Sequence, residues 1–149
     1  MGINLLRREI YGMQSDNYKY SILIKKILEI FNETFDGEIA LIKKQVATNH
    51  MGFFKIKFMY LPLDYEMVFE SDRDVFDIVI YDKEKAWSTL DKKYDNETNI
   101  DNIRKAISVL KHKLKNNDFC FYITRDDKLY RKENEQYIRI KNFSTFREG

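Results

Sequence analysis

Cysteine, proline, glycine and histidine are all scarce in this chain, and each scarcity removes a class of protein. The sequence holds one cysteine, one proline, five glycines and two histidines. A lone Cys120 permits no intramolecular disulfide, so a reducing, cytoplasmic compartment is expected. Set in the aromatic run Phe119–Ile123, Cys120 reads as a small core or sheet residue and not as a reactive thiol. The glycines, at 2, 12, 37, 52 and 149, are too scattered to form a phosphate-cradling loop of the dinucleotide or the NTPase kind. His50 and His112 have no His or Cys at ligand spacing, which leaves zinc and a Cys–His nucleophile pair unsupported. No cofactor is expected. Long hydrophobic runs are also missing, because lysines interrupt every apolar stretch. Neither a signal peptide nor a membrane partner is therefore expected. Gly2 would suit myristoylation, but Leu6 stands where that pattern has Ser or Thr.

A charge excess of one sign is lacking too. Against 26 Lys and Arg stand 24 Asp and Glu, a formal net charge of +2. A chain-wide cationic nucleic-acid binder needs a large basic excess, so nucleic acid is not the expected partner. What the chain has in quantity is core material, with 11 Phe and 10 Tyr and a hydrophobic fraction of 44%. One domain, residues 1–149, is the natural size.

Periodicity divides that domain. Residues 1–15 read as a lead-in without clear period, frayed like the tail 142–149. Asp16 then caps a helix whose apolar positions are Tyr20, Leu23, Ile24, Ile27, Leu28 and Phe31, ending near Asp36-Gly37. From Glu38 the period becomes two, with strands predicted at 38–48, 53–60, 65–70 and 75–81. Pairing the last three symmetrically about their turns puts Phe54, Ile56, Phe58, Tyr60, Tyr65, Met67, Phe69, Phe76, Ile78 and Ile80 on one face. The other face then carries Lys55, Lys57, Met59, Glu66, Val68, Glu70, Val75, Asp77, Val79 and Tyr81. Asp82 caps a predicted short helix to about Tyr94, and a clearer helix follows from Ile100 to Leu114. Strands at 118–124, near 128–132, and at 136–141 complete the chain. The expected fold is α+β: one antiparallel sheet of about six strands, covered on its aromatic face by helices, in the order α-ββββ-αα-ββ(β).

Two short motifs invite chemistry. Asp72-Arg73-Asp74 has the Asp-x-Asp form of divalent-cation sites, yet it falls in a hairpin turn, where Asp is favoured for its own backbone hydrogen bonds. Asp91-Lys92-Lys93 has the end of a restriction-type nuclease signature, which belongs on a strand and here falls in a predicted helix. Charge placement is more informative. Residues 1–60, 61–102 and 103–149 carry net charges of +3, −7 and +6. The acidic middle places Glu66, Glu70, Asp72, Asp74 and Asp77 on or beside the outer sheet face and continues to Asp82, Glu84 and Asp91. One reading is ordinary solvated pairing with Lys55 and Lys57. The other is a recognition surface for a basic partner, anchored by Val68, Val75, Val79 and Tyr81.

A small α+β domain with these aromatic and charged residues resembles the immunity proteins that protect bacteria from their own polymorphic or contact-dependent toxins. The resemblance lies in general layout: the Phe53–Tyr81 meander with its aromatic side and its Ser71-Asp72-Arg73-Asp74 turn, followed by the Ile100–Leu114 helix. It implies a non-enzymatic inhibitor that binds a cognate toxin protein. The candidate binding residues are Glu66, Glu70, Asp72, Asp74, Asp77, Tyr81, Asp82, Glu84 and Asp91. The alternative is a phage- or plasmid-encoded inhibitor or adaptor that binds a host protein or RNA. A homodimer through the outer valines also stays open, and an enzyme using Asp72 and Asp74 ranks last.

Overall fold

The computed structural model describes residues 2–47, 52–90 and 96–141, with side chains from Lys19 onward. Among the described residues, two helices and eight strands follow one another as α1 (Gly2–Phe35), β1 (Ile39–Ala47), β2 (Phe53–Tyr60), β3 (Tyr65–Asp72), β4 (Val75–Tyr81), β5 (Trp87–Thr89), α2 (Ile100–Lys115), β6 (Tyr122–Arg125), β7 (Lys128–Glu133) and β8 (Gln136–Arg139). All eight strands form a single antiparallel sheet in sequence order. The α+β class and the single sheet are as expected; the strand count and the element order differ.

The register from β2 to β4 follows the symmetric hairpins. Lys55 pairs with Glu70 and Glu70 with Asp77, while Ile56, Phe69 and Ile78 align on the other side. The turns that fix this register rely on left-handed residues, Asp64 in the first and Arg73 and Asp74 in the second. Every residue expected on the aromatic face of β2–β4 is buried apart from half-buried Tyr65. Both helices contribute to the same cluster, through Ile24, Ile27, Ile30, Phe31 and Phe35 of α1 and Ile103, Ala106, Ile107, Leu110 and Leu114 of α2. Phe31 stacks on Phe58 at 4.3 Å, and Phe69 lies between Phe54 (6.0 Å) and Phe76 (5.3 Å). Gly52 enters β2 at φ +76°, and a Cβ there would clash with Tyr20 Oη. Only glycine meets both demands.

Three expectations are corrected. The lead-in is helical, so that α1 begins at Gly2; Ile3, Leu6, Ile10 and Met13 continue the three-and-four spacing through Gly12 and Asp16. No helix starts at Asp82. Its Oδ1 accepts the N–H groups of Glu84 and Ala86, both at 2.9 Å, and Lys85 is left-handed at φ +67°, so the chain turns back as β5 against β4. Strand pairing in the C-terminal third begins at Tyr122, four residues later than expected. Residues 91–95 and 142–149, with Asp91 among them, lie outside the described residues, as does His50.

The sheet is broad but unevenly joined. β1–β4 share long ladders, whereas β5 meets β6 at one residue pair, Trp87 with Tyr122. The rest of the β4 edge is met by residues 96–98: Asn96 O accepts from Phe76 N–H, Thr98 N–H donates to Asp74 O, and Ser71 Oγ lies 3.0 Å from Thr98 Oγ1. Asn99 then caps α2, its Oδ1 accepting Asn102 N–H at 2.9 Å.

Candidate functional site

The alternation of β2–β4 leaves one face of the sheet outside the helix-bound cluster. The expected acidic residues divide between this outer face and the opposite side. Glu66, Glu70, Asp72, Asp77 and Tyr81 share the outer face, and Asp74 sits in the β3–β4 turn. Asp82 and Glu84 instead point to the helix side, because Asp82 follows the inward parity of Ile78 and Ile80.

On the outer face the lysines neutralise part of the charge. Lys55 lies 3.6 Å from Glu70, and Glu66 is flanked by Lys57 and Lys85, each at 3.6 Å. Such exposed pairs contribute a fraction of a kcal/mol. Asp72, Asp74 and Asp77 are exposed and have no ion-pair partner among the described residues. The unpaired negative charge is therefore concentrated toward the β3–β4 turn.

The register also assembles a row that the sequence reading did not foresee. Met59 pairs with Glu66, Glu66 with Tyr81, Tyr81 with Trp87, Trp87 with Tyr122, Tyr122 with Arg131 and Arg131 with Ile138. This row crosses seven strands on the outer face. The Trp87 and Tyr122 rings meet at 5.2 Å, Arg131 Nη2 is paired with Glu133, and Ile138 is 44% exposed. Its members come from strands up to eighty residues apart. The expected helix over 82–94 hid Trp87, and nothing local joins that residue to Tyr122.

On the helix side, Asp82 and Glu84 enter a second constellation. Lys132 of β7 donates to Asp82 Oδ2 and to Glu84 Oε1, both at 3.0 Å, and Tyr137 of β8 donates to Glu84 Oε2 at 2.7 Å. These groups adjoin a cleft of about 240 Å³ lined by Leu63, Tyr65, Lys83 and Phe121 as well. The Asp82 carboxylate holds the Lys132 ammonium well above its ordinary range, against the opposing effect of burial and with help from Glu84. The hydrogen bond from Tyr137, then that from Lys132, lowers the Glu84 carboxyl, and the Tyr137 phenol is raised by the same bond to Glu84. Burial and then the Asp82 charge raise Tyr65.

An amine stabilised as its cation is no nucleophile or base at neutral pH, and a carboxyl stabilised as its anion is no general acid. The arrangement is instead a fastening. It ties the β4–β5 turn to β7 and β8 across the single-pair seam. Lys132 and Tyr137 had no signal in the sequence, because their partners lie about fifty residues away.

The remaining sequence candidates stay apart. Arg73 (φ +53°) and Asp74 (φ +62°) give Asp72-Arg73-Asp74 a two-residue left-handed hairpin turn. Among the described residues no group of three or more His, Cys, Asp or Glu gathers at metal-holding distance. Cys120 is exposed and outside any strand, contrary to the expected core or sheet position, because regular pairing starts only at Tyr122. His112 Nε2 lies 3.1 Å from Asn116 Nδ2 on the surface of α2. No helix among the described residues is long and apolar enough to cross a membrane. Comparisons of the chain with protein-family models, curated proteins and solved structures find no match.

Proposed function

We propose that this protein is a non-enzymatic inhibitor that binds another protein, and specifically an immunity protein that neutralises a cognate bacterial toxin domain. The observation that carries this reading is the outer sheet face. It joins aromatic and aliphatic side chains to the three carboxylates Asp72, Asp74 and Asp77, which have no ion-pair partner among the described residues. Apolar and aromatic groups supply affinity on desolvation, and unpaired charge at the periphery speeds the approach of an oppositely charged partner. A toxin domain that attacks nucleic acid needs a basic surface, and such a surface complements this face.

The polar constellation on the helix side supports the same reading from the chemical side. Lys132 donates to Asp82 and Glu84, and Tyr137 to Glu84, which stabilises the Lys132 ammonium against losing its proton and the Glu84 carboxylate against gaining one. Inhibition is then stoichiometric: the protein covers the toxin's active site and turns nothing over.

The test is co-expression with the product of the gene immediately upstream. A co-purifying complex and rescue of growth are expected. A toxic upstream product that neither binds this protein nor is silenced by it removes the proposal.

A further inference from the structure

Resting on the reading above, we infer that the cross-sheet row of Met59, Tyr81, Trp87, Tyr122, Arg131 and Ile138 is the anchor of the toxin contact, with Asp77 and the β3–β4 turn as its charged rim. Three observations lead there. The row crosses seven hydrogen-bonded strands. At about 4.8 Å between neighbours it runs roughly 29 Å, close to the width of a standard interface of about 800 Å² per partner. Its residue types are those on which binding energy concentrates: tryptophan, tyrosine and arginine, flanked by methionine and isoleucine. Its central members are also ordered in advance. The Trp87 and Tyr122 rings meet in a tilted contact, and Arg131 is held by Glu133, so docking sacrifices little side-chain freedom there.

Charge identifies the occupant as a basic protein surface. Asp77 lies four residues along β4 from Tyr81, about 13 Å at strand spacing, inside the radius of such a patch. Glu66 and Glu70 are already matched by Lys57, Lys85 and Lys55, whereas Asp72, Asp74 and Asp77 have no ion-pair partner among the described residues and face outward for one.

Trp87 is the only tryptophan in the sequence, so its fluorescence reports from the centre of the row. The protein is titrated with the purified toxin domain encoded upstream, at low and high salt. Expected are a blue shift of Trp87 emission, reduced acrylamide quenching, and binding weakened about tenfold or more by Tyr81→Ala or Ile138→Ala. Asp77→Asn is expected to slow association and flatten its salt dependence. Both alanine variants alter the outer face alone, and a melting curve of each checks that it folds before its affinity is read. A complex that forms with unchanged Trp87 emission and unaltered affinity of the Tyr81 and Ile138 variants overturns the anchor and leaves the inhibitor reading standing. Absence of any wild-type complex overturns both. A concentration-dependent dimer that shifts Trp87 by itself makes a second copy the occupant and overturns the inference.

Discussion

Replacing Asp82 by alanine tests whether the β6–β8 part of the sheet is held by the fastening at the cleft. Asp82 is 8% exposed and its carboxylate accepts three donors: the N–H groups of Glu84 and Ala86 and the ammonium of Lys132. Asp82→Ala leaves the buried Ala86 N–H without its acceptor and frees that of Glu84, for which water substitutes in part. A buried group left unsatisfied costs about 1–3 kcal/mol. Lys132 keeps Glu84 but loses its buried partner, and the total is about 3 kcal/mol. For a chain of this length that lowers Tm by roughly 6–12 °C. The loss is expected to be local first. Only Trp87 and Tyr122 join β5 to β6, so in native-state hydrogen exchange the amides of β6–β8 should lose protection well before those of β2–β4. Lys132→Met is expected to cost less, because Asp82 keeps both backbone donors. A fall in Tm under 2 °C for Asp82→Ala, or protection lost equally across the sheet, would refute the reasoning.

Other outcomes follow from the same geometry. Gly52→Ala should destabilise by about 2 kcal/mol or more, since it combines a left-handed φ with a clash against Tyr20 Oη; denaturant unfolding measures it, and a neutral result contradicts the close approach. Phe69→Ala removes a fully buried ring in contact with Phe31, Phe54 and Phe76 and should cost about 3–5 kcal/mol by the same assay. The fastening should also depend on pH at both ends. Glu84 is lowered from 4.5, so its contribution is present above that pH and is lost as pH falls through the folded value. Tyr137 and Lys132 are raised from 10.0 and 10.5, so theirs is present below those values and is lost as pH rises through the folded ones. Hydrogen exchange of β6–β8, referred to β2–β4 and corrected for intrinsic rates, should show both losses; a flat ratio across pH contradicts it.

The β2–β4 meander was legible because each strand alternates and each turn is short, so that a one-residue slip would have exposed Phe58, Phe69 or Ile78. The segment after Asp82 was not. An aspartate accepting N–H groups two and four residues ahead resembles a helix cap in sequence, and only the left-handed Lys85 separates the two outcomes. In α1, Asp16 reads as a cap, but the helix runs on through it from Gly2. The outer acidic face was legible in part, since alternation placed Glu66, Glu70 and Asp77 correctly. Its neutralisation by Lys85 and the row through Trp87, Tyr122 and Arg131 depend on strand order across the whole sheet, which no local pattern encodes.

The proposed function is tested most directly by titrating the activity of the upstream toxin domain with this protein. Stoichiometric capture predicts a linear, time-independent loss that reaches zero at one equivalent. Inactivation that proceeds with time at a small fraction of an equivalent would mean turnover, and activity unchanged at excess would mean no recognition; either result contradicts the account.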